Sequence, residues 1–66
     1  MNIIKKLREK QGITQKALAE KMGIAQKTIS EYETGKHIPS VELLPKLAKT
    51  LHTNIETLVK GLVGIK

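Results

Sequence analysis

Between positions 26 and 34 the chain reads QKTISEYET, and beside its hydroxyls it carries polar side chains of three chemically different kinds. Gln26 offers an amide that both donates and accepts, Lys27 an ammonium that only donates, and Glu31 a carboxylate that only accepts. At 3.6 residues per turn, Ile29, Tyr32 and Glu33 fall on one side. Lys27, Glu31 and Thr34 fall opposite, with Ser30 beside them and Gln26 at the exposed first turn. Amide, ammonium and carboxylate are the groups that read base edges in a DNA major groove. A second reading of the same face is a solvated i,i+4 ion pair between Lys27 and Glu31. The helical wheel leaves both readings open.

Bond-making chemistry has little to stand on. Ser30, Ser40, His37 and the acidic residues show no nucleophile–base–orienter spacing, and there is no Gly-rich phosphate loop, so no enzyme is expected. His37 and His52 are lone histidines in a chain without Cys. Neither a disulfide framework nor a metal site is expected, and no cofactor.

The polar face needs elements that hold it. Gln15–Gly35 reads as two short helices joined by a tight turn at Met22-Gly23-Ile24. Leu18 and Met22 are four apart and Ile29 and Tyr32 three apart, so each helix has one apolar face. Gly23 stands where the first helix must stop and can close it in the left-handed conformation. Ala19 faces the second helix and lets the backbones approach. The result is a helix-turn-helix corner, which any αα-hairpin could share.

Charge and length narrow the partner. The chain has 66 residues, twelve Lys and Arg against six Asp and Glu, and a net charge of +6. That surplus favours a polyanion. With Tyr32 as its one aromatic residue, the chain is poorly suited to stacking on single strands or RNA. One small domain over residues 1–66 is expected, with a core from about 3 to 60 and an apolar tail from 61 to 66. No signal peptide and no membrane span are expected, so the location read from the sequence is cytoplasmic.

In chain order, helix 1 is predicted from about Asn2, a plausible cap, to Lys10, with Ile4 and Leu7 inward and Gly12 as its stop. Thr14 caps helix 2 over Gln15–Lys21. Helix 3 covers Gln26–Thr34, with Ala25 in the cap position and Gly35 as its end. Ser40 is expected to cap helix 4, which runs to about Leu51 with Val41, Leu44, Leu47, Ala48 and Leu51 inward. Pro45 allows two starts: near Val41 with a lost backbone bond, or near Leu44 with Pro45 in the first turn. His52 occupies a helix end that asks for left-handed backbone. Asn54 caps helix 5 over Ile55–Lys60, and Gly61 ends it.

Several motifs occur together across this frame: Leu7-Arg8, Gly12-Ile13-Thr14-Gln15, Leu18-Ala19, Gly23-Ile24, Ile29-Ser30, Glu33-Thr34-Gly35-Lys36, Pro39-Ser40 and Leu47-Ala48-Lys49-Thr50-Leu51. Over residues 3–60 the chain resembles the Xre/Cro family of phage-repressor-like helix-turn-helix proteins. The resemblance implies an all-α, compact five-helix, lambda-repressor-like domain whose third helix enters the major groove. It implies base reading by Gln26, Lys27 and Glu31, with Gln15, Thr28, Ser30 and Lys36 at phosphates or flanking positions. It also implies a transcriptional regulator, most simply a repressor of phage, mobile-element or small chromosomal type, with double-stranded DNA as partner and no small-molecule effector. The alternative is a protein-interaction module on the same scaffold, an antitoxin or antirepressor partner. The family often has Gly where His52 stands, and Ser or Thr where Ala25 stands.

Two further expectations concern pairing. Arg8 and Glu33 lie on the apolar sides of their helices, where a lone charge is costly and two opposite charges satisfy each other. The resemblance pairs these positions too, so a salt bridge from helix 1 to the recognition helix is predicted. At the C-terminal end, Ile55 and Leu58 are expected to cap the core. Val59, Leu62, Val63 and Ile65 are then left as an apolar surface for a homodimer on a two-fold operator.

Overall fold

The computed structural model describes residues 2–63. It contains five helices: α1 (Ile3–Lys10), α2 (Gln15–Met22), α3 (Gln26–Thr34), α4 (Leu44–Thr50) and α5 (Ile55–Val63), with no strand among the described residues. Ile4, Leu18, Ala19, Met22, Ile29, Tyr32, Leu47, Ala48, Leu51 and Leu58 form one core drawn from all five. The fold is the all-α, lambda-repressor-like one. The helix-turn-helix is α2 and α3, and α2 also packs on α4 while α1 packs on α3 and α5.

Local chemistry sets the boundaries. Asn2 Oδ1 accepts from the amides of Ile4 and Lys5 at 3.0 and 3.2 Å, opening α1. Thr14 Oγ1 does the same for Ala17 at 3.0 Å at the start of α2, and Asn54 Oδ1 for Thr57 at 2.7 Å in α5. Gly23 ends α2 at φ 70°, ψ 30°, the left-handed region that lets the chain turn at once into α3. Ala25 supplies no side-chain cap, a loss of about 1 kcal/mol relative to Ser or Thr, yet α3 still begins at Gln26. His52 has φ 56°, the one left-handed residue other than glycine among those described.

Expectations at α4 and at α5 are corrected. Ser40 does not cap α4 and Val41 does not face inward. Residues 41–43 form a turn in which the Ser40 carbonyl accepts from Leu43 and Leu44 at 3.0 and 3.1 Å, and Val41 is 79% exposed. Pro45 is the reason. In a helix begun at Val41 it would cost a backbone hydrogen bond, whereas a start at Leu44 puts it in the first turn.

Gly61 does not end α5, which continues to Val63. A Cβ at Gly61 would lie 2.4 Å from Ile3 Cβ and 2.6 Å from its Cγ2, so the bare glycine lets α5 close onto α1.

That contact settles which end of the α5 stripe is buried. Leu58 is fully buried and Leu62 packs against the core, while Ile55 is 42% exposed. Ile55 and Leu62 thus exchange the roles expected of them. Ile65 and the side chain of Val63 lie outside the described residues. Val59 is 37% exposed.

Candidate nucleic-acid interface

The candidate surface begins where α2 hands the chain to α3. Ile29 and Tyr32 bury one face of α3, which turns the first helical turn outward. Gln26 and Lys27 are both exposed, and among the described residues neither makes a side-chain hydrogen bond or ion pair. Thr28 and Ser30 are half-buried along the flanks. An amide and an ammonium thus stand unengaged at the exposed end of a helix, with hydrogen-bonding capacity for base edges.

Glu31 behaves differently. Its carboxylate lies 3.9 Å from His37 Nε2 and 4.0 Å from Lys36 Nζ, in the segment after α3. The Lys27–Glu31 ion pair is absent among the described residues. The backbone explains the preference. Gly35 at φ 82° reverses the chain, and the amides of Lys36 and His37 both donate to the Glu31 carbonyl, at 2.9 and 3.3 Å. Both side chains are thereby folded back toward the Glu31 side chain, and they remain mostly exposed.

Behind this surface lies a buried polar network. Arg8 Nε donates to Glu33 Oε2 at 2.6 Å and Arg8 Nη2 to Glu33 Oε1 at 3.2 Å. Arg8 Nη1 donates to the Ile13 carbonyl at 2.8 Å. Gln15 Nε2 donates to Glu33 Oε1 at 3.0 Å. Side-chain exposure is 11% for Arg8 and 3% for Glu33. The hydrogen bond to Glu33 raises the Arg8 pKa; desolvation opposes this, and the charges of Glu33 and Glu9 add to it. A raised pKa on a cation contributes stability below its unfolded value and loses it only in strong alkali, so Arg8 stays charged throughout the working range. Forked pairing of this kind fixes orientation as well as distance. It ties α1, the segment before α2, the first turn of α2 and the end of α3 into one unit.

Sequence reasoning placed Gln15 at a phosphate and did not place it on Glu33. The amide nitrogen has a second N–H, so the contact with Glu33 leaves it one donor. The Asn2 side chain was also missed: besides capping α1, its Nδ2 donates to the Tyr32 carbonyl, a second tie from α1 to α3. Neither contact has a signature in residue spacing, because each joins segments brought together only by the core. No group of His, Asp and Glu suited to a metal ion exists among the described residues. No helix among them is long and apolar enough to cross a membrane.

The family model described as helix-turn-helix matches residues 4–58, a span from the buried Ile4 of α1 to the buried Leu58 of α5. A comparison with curated proteins finds no match.

Proposed function

This chain belongs to the Xre/Cro-type helix-turn-helix family of DNA-binding regulators, and from that membership we propose that it is a sequence-specific repressor that reads duplex DNA with the first turn of α3. The observation that carries the proposal is the exposure of Gln26 and Lys27, without partners among the described residues, at the end of a helix whose orientation is fixed from behind. Gln26 is suited to a bidentate contact with adenine and Lys27 to donation to guanine. Gln15 and Lys36 clamp the backbone on either side, with Thr28 and Ser30 at the edges of the groove. Glu31 faces a polyanion and has Lys36 and His37 beside it. Its role in this reading is to hold Lys36 and His37 in place, with acceptance from cytosine as the lesser part.

One helix in one groove reads only a few base pairs, so two copies on half-sites about one helical turn apart are the natural arrangement. The exposed apolar pair Ile55 and Val59, four apart on α5, supports a dimer through that helix, with the accessible part of Leu62 beside it. The pairing is thus shifted toward the start of α5 relative to the stripe Val59, Leu62, Val63 and Ile65. Selection of binding sites from random duplexes tests the whole reading at once. A two-fold motif with defined bases in each half is expected. Recovery of no motif, with uniform affinity across sequences, would leave a DNA-binding protein without specificity and refute the repressor reading.

A further inference from the structure

A second basic feature shares no lining residue with α3. Lys21 in the last turn of α2, and Lys46, Lys49 and Thr50 of α4 with His52 just beyond it, line a shallow concavity between those two helices. Gln15, the expected phosphate clamp of α2, stands at the other end of that helix, about 9 Å along its axis. The concavity holds three ammonium groups and an imidazole but no acidic side chain, and among the described residues none of the four has a carboxylate within 4.0 Å. By contrast Arg8, Lys36, His37 and Lys60 all have one.

Helix ends explain part of this. Lys21 and Lys49 sit in the last turns of α2 and α4, where a cation is favoured. Lys46 is different. It is in the first turn of α4, where its own helix disfavours a cation, and its Nζ reaches to within 4.0 Å of where a Cβ on Gly23 would stand. The fold therefore brings Lys46 to the same concavity as Lys21 and Lys49, with no counter-charge within 4.0 Å among the described residues.

We propose that this concavity is a second anion site, for phosphate groups, built by Lys21, Lys46 and Lys49 and separate from the base-reading surface. Compact, rotatable ammonium groups suit the point-charge recognition of phosphate. The phosphates come from one of two sources, the backbone of DNA flanking the half-site or a free phosphorylated small molecule. The first source rests on the DNA-binding reading above; the second stands without it.

The test uses the full chain and the variant Lys46→Gln/Lys49→Gln, whose substitutions lie on exposed positions and whose folding a thermal melt verifies. The first arm measures affinity for a random-sequence duplex against salt concentration. If the DNA backbone is the source, the slope of log K on log salt becomes shallower by about 2, at ~0.9 per phosphate contact. The second arm titrates inorganic pyrophosphate and follows backbone amides by NMR. If a free phosphate compound is the source, the amides around Lys21, Lys46, Lys49 and His52 shift saturably in the natural chain and not in the variant, and the DNA slope is unchanged. An unchanged slope together with no saturable shift overturns the proposal. So does a response of these amides to polyglutamate with none to pyrophosphate. If the natural chain binds no duplex at all, the reading of its function fails, and the pyrophosphate arm alone decides this site.

Discussion

Replacing Arg8 with Met removes the guanidinium and keeps most of the apolar stem. The Glu33 carboxylate, 3% exposed, then loses two of its three hydrogen bonds and retains only the one from Gln15 at 3.0 Å. Removing one partner of a buried pair costs about 3–5 kcal/mol, because the remaining charge is left uncompensated. The low end, about 3 kcal/mol, suits this site, since Gln15 still donates and Arg8 was not wholly sealed from water. A chain of this size holds roughly 3–10 kcal/mol at about 0.05–0.15 kcal/mol per residue, so the loss is a large share of the total. At about 4–8 °C per kcal/mol for small domains, Tm should fall by roughly 12–24 °C. Urea unfolding followed by far-UV circular dichroism measures it, with the double variant Arg8→Met/Glu33→Leu as control. Replacing both charges with apolar groups should recover most of the loss. A cost below about 1 kcal/mol for Arg8→Met, the level of an exposed pair, would refute the reasoning. So would a double variant no better than the single one.

Gly61→Ala should destabilise by about 1–3 kcal/mol from overpacking against Ile3, reduced by up to ~1 kcal/mol of helix propensity; Ile3→Ala in the same chain should relieve only the part due to the Ile3 γ carbons, since alanine keeps the Cβ that makes the shortest contact, and thermal melts of the single and double variants check this. Glu31→Gln should tighten binding to every duplex by roughly 1 kcal/mol, about fivefold, because a carboxylate no longer opposes the phosphates. A change confined to one base position in a competition assay would instead make Glu31 a base reader. Val59→Lys should convert a dimer to a monomer in light scattering at micromolar concentration while leaving the melt within about 0.5 kcal/mol, as a surface change does; equal masses for both chains would remove α5 as the interface.

The helix-turn-helix was legible because its signals agree at every level. Apolar spacing, the caps at Thr14 and Asn2, and glycines at 23 and 35 all point to the same boundaries. The two charges on apolar faces, Arg8 and Glu33, were legible for a related reason: an unpaired charge there has no other physical resolution. Where one residue admits two uses, the sequence was ambiguous. Gly61 reads as a helix stop, and only the approach of Ile3 from the far end of the chain makes it a packing residue. Ser40 reads as a cap, and Pro45 five residues on moves the helix start past it. Ile55 and Leu62 lie on one stripe, and nothing local says which end meets the core. Contacts such as Gln15 with Glu33 and Glu31 with His37 arise from tertiary placement of polar side chains, for which no periodicity exists.

Specific reading by the first turn of α3 is tested most directly by Lys27→Ala, measured as the ratio of affinities for the selected operator and for a random duplex at one salt concentration. Lys27 is exposed, so the substitution leaves the fold intact. The ratio should fall by about 1–3 kcal/mol, roughly 5- to 150-fold, with relaxed preference at a single base position in each half-site. A uniform weakening of both duplexes, with the ratio unchanged, would make Lys27 a phosphate contact and contradict base reading at this position.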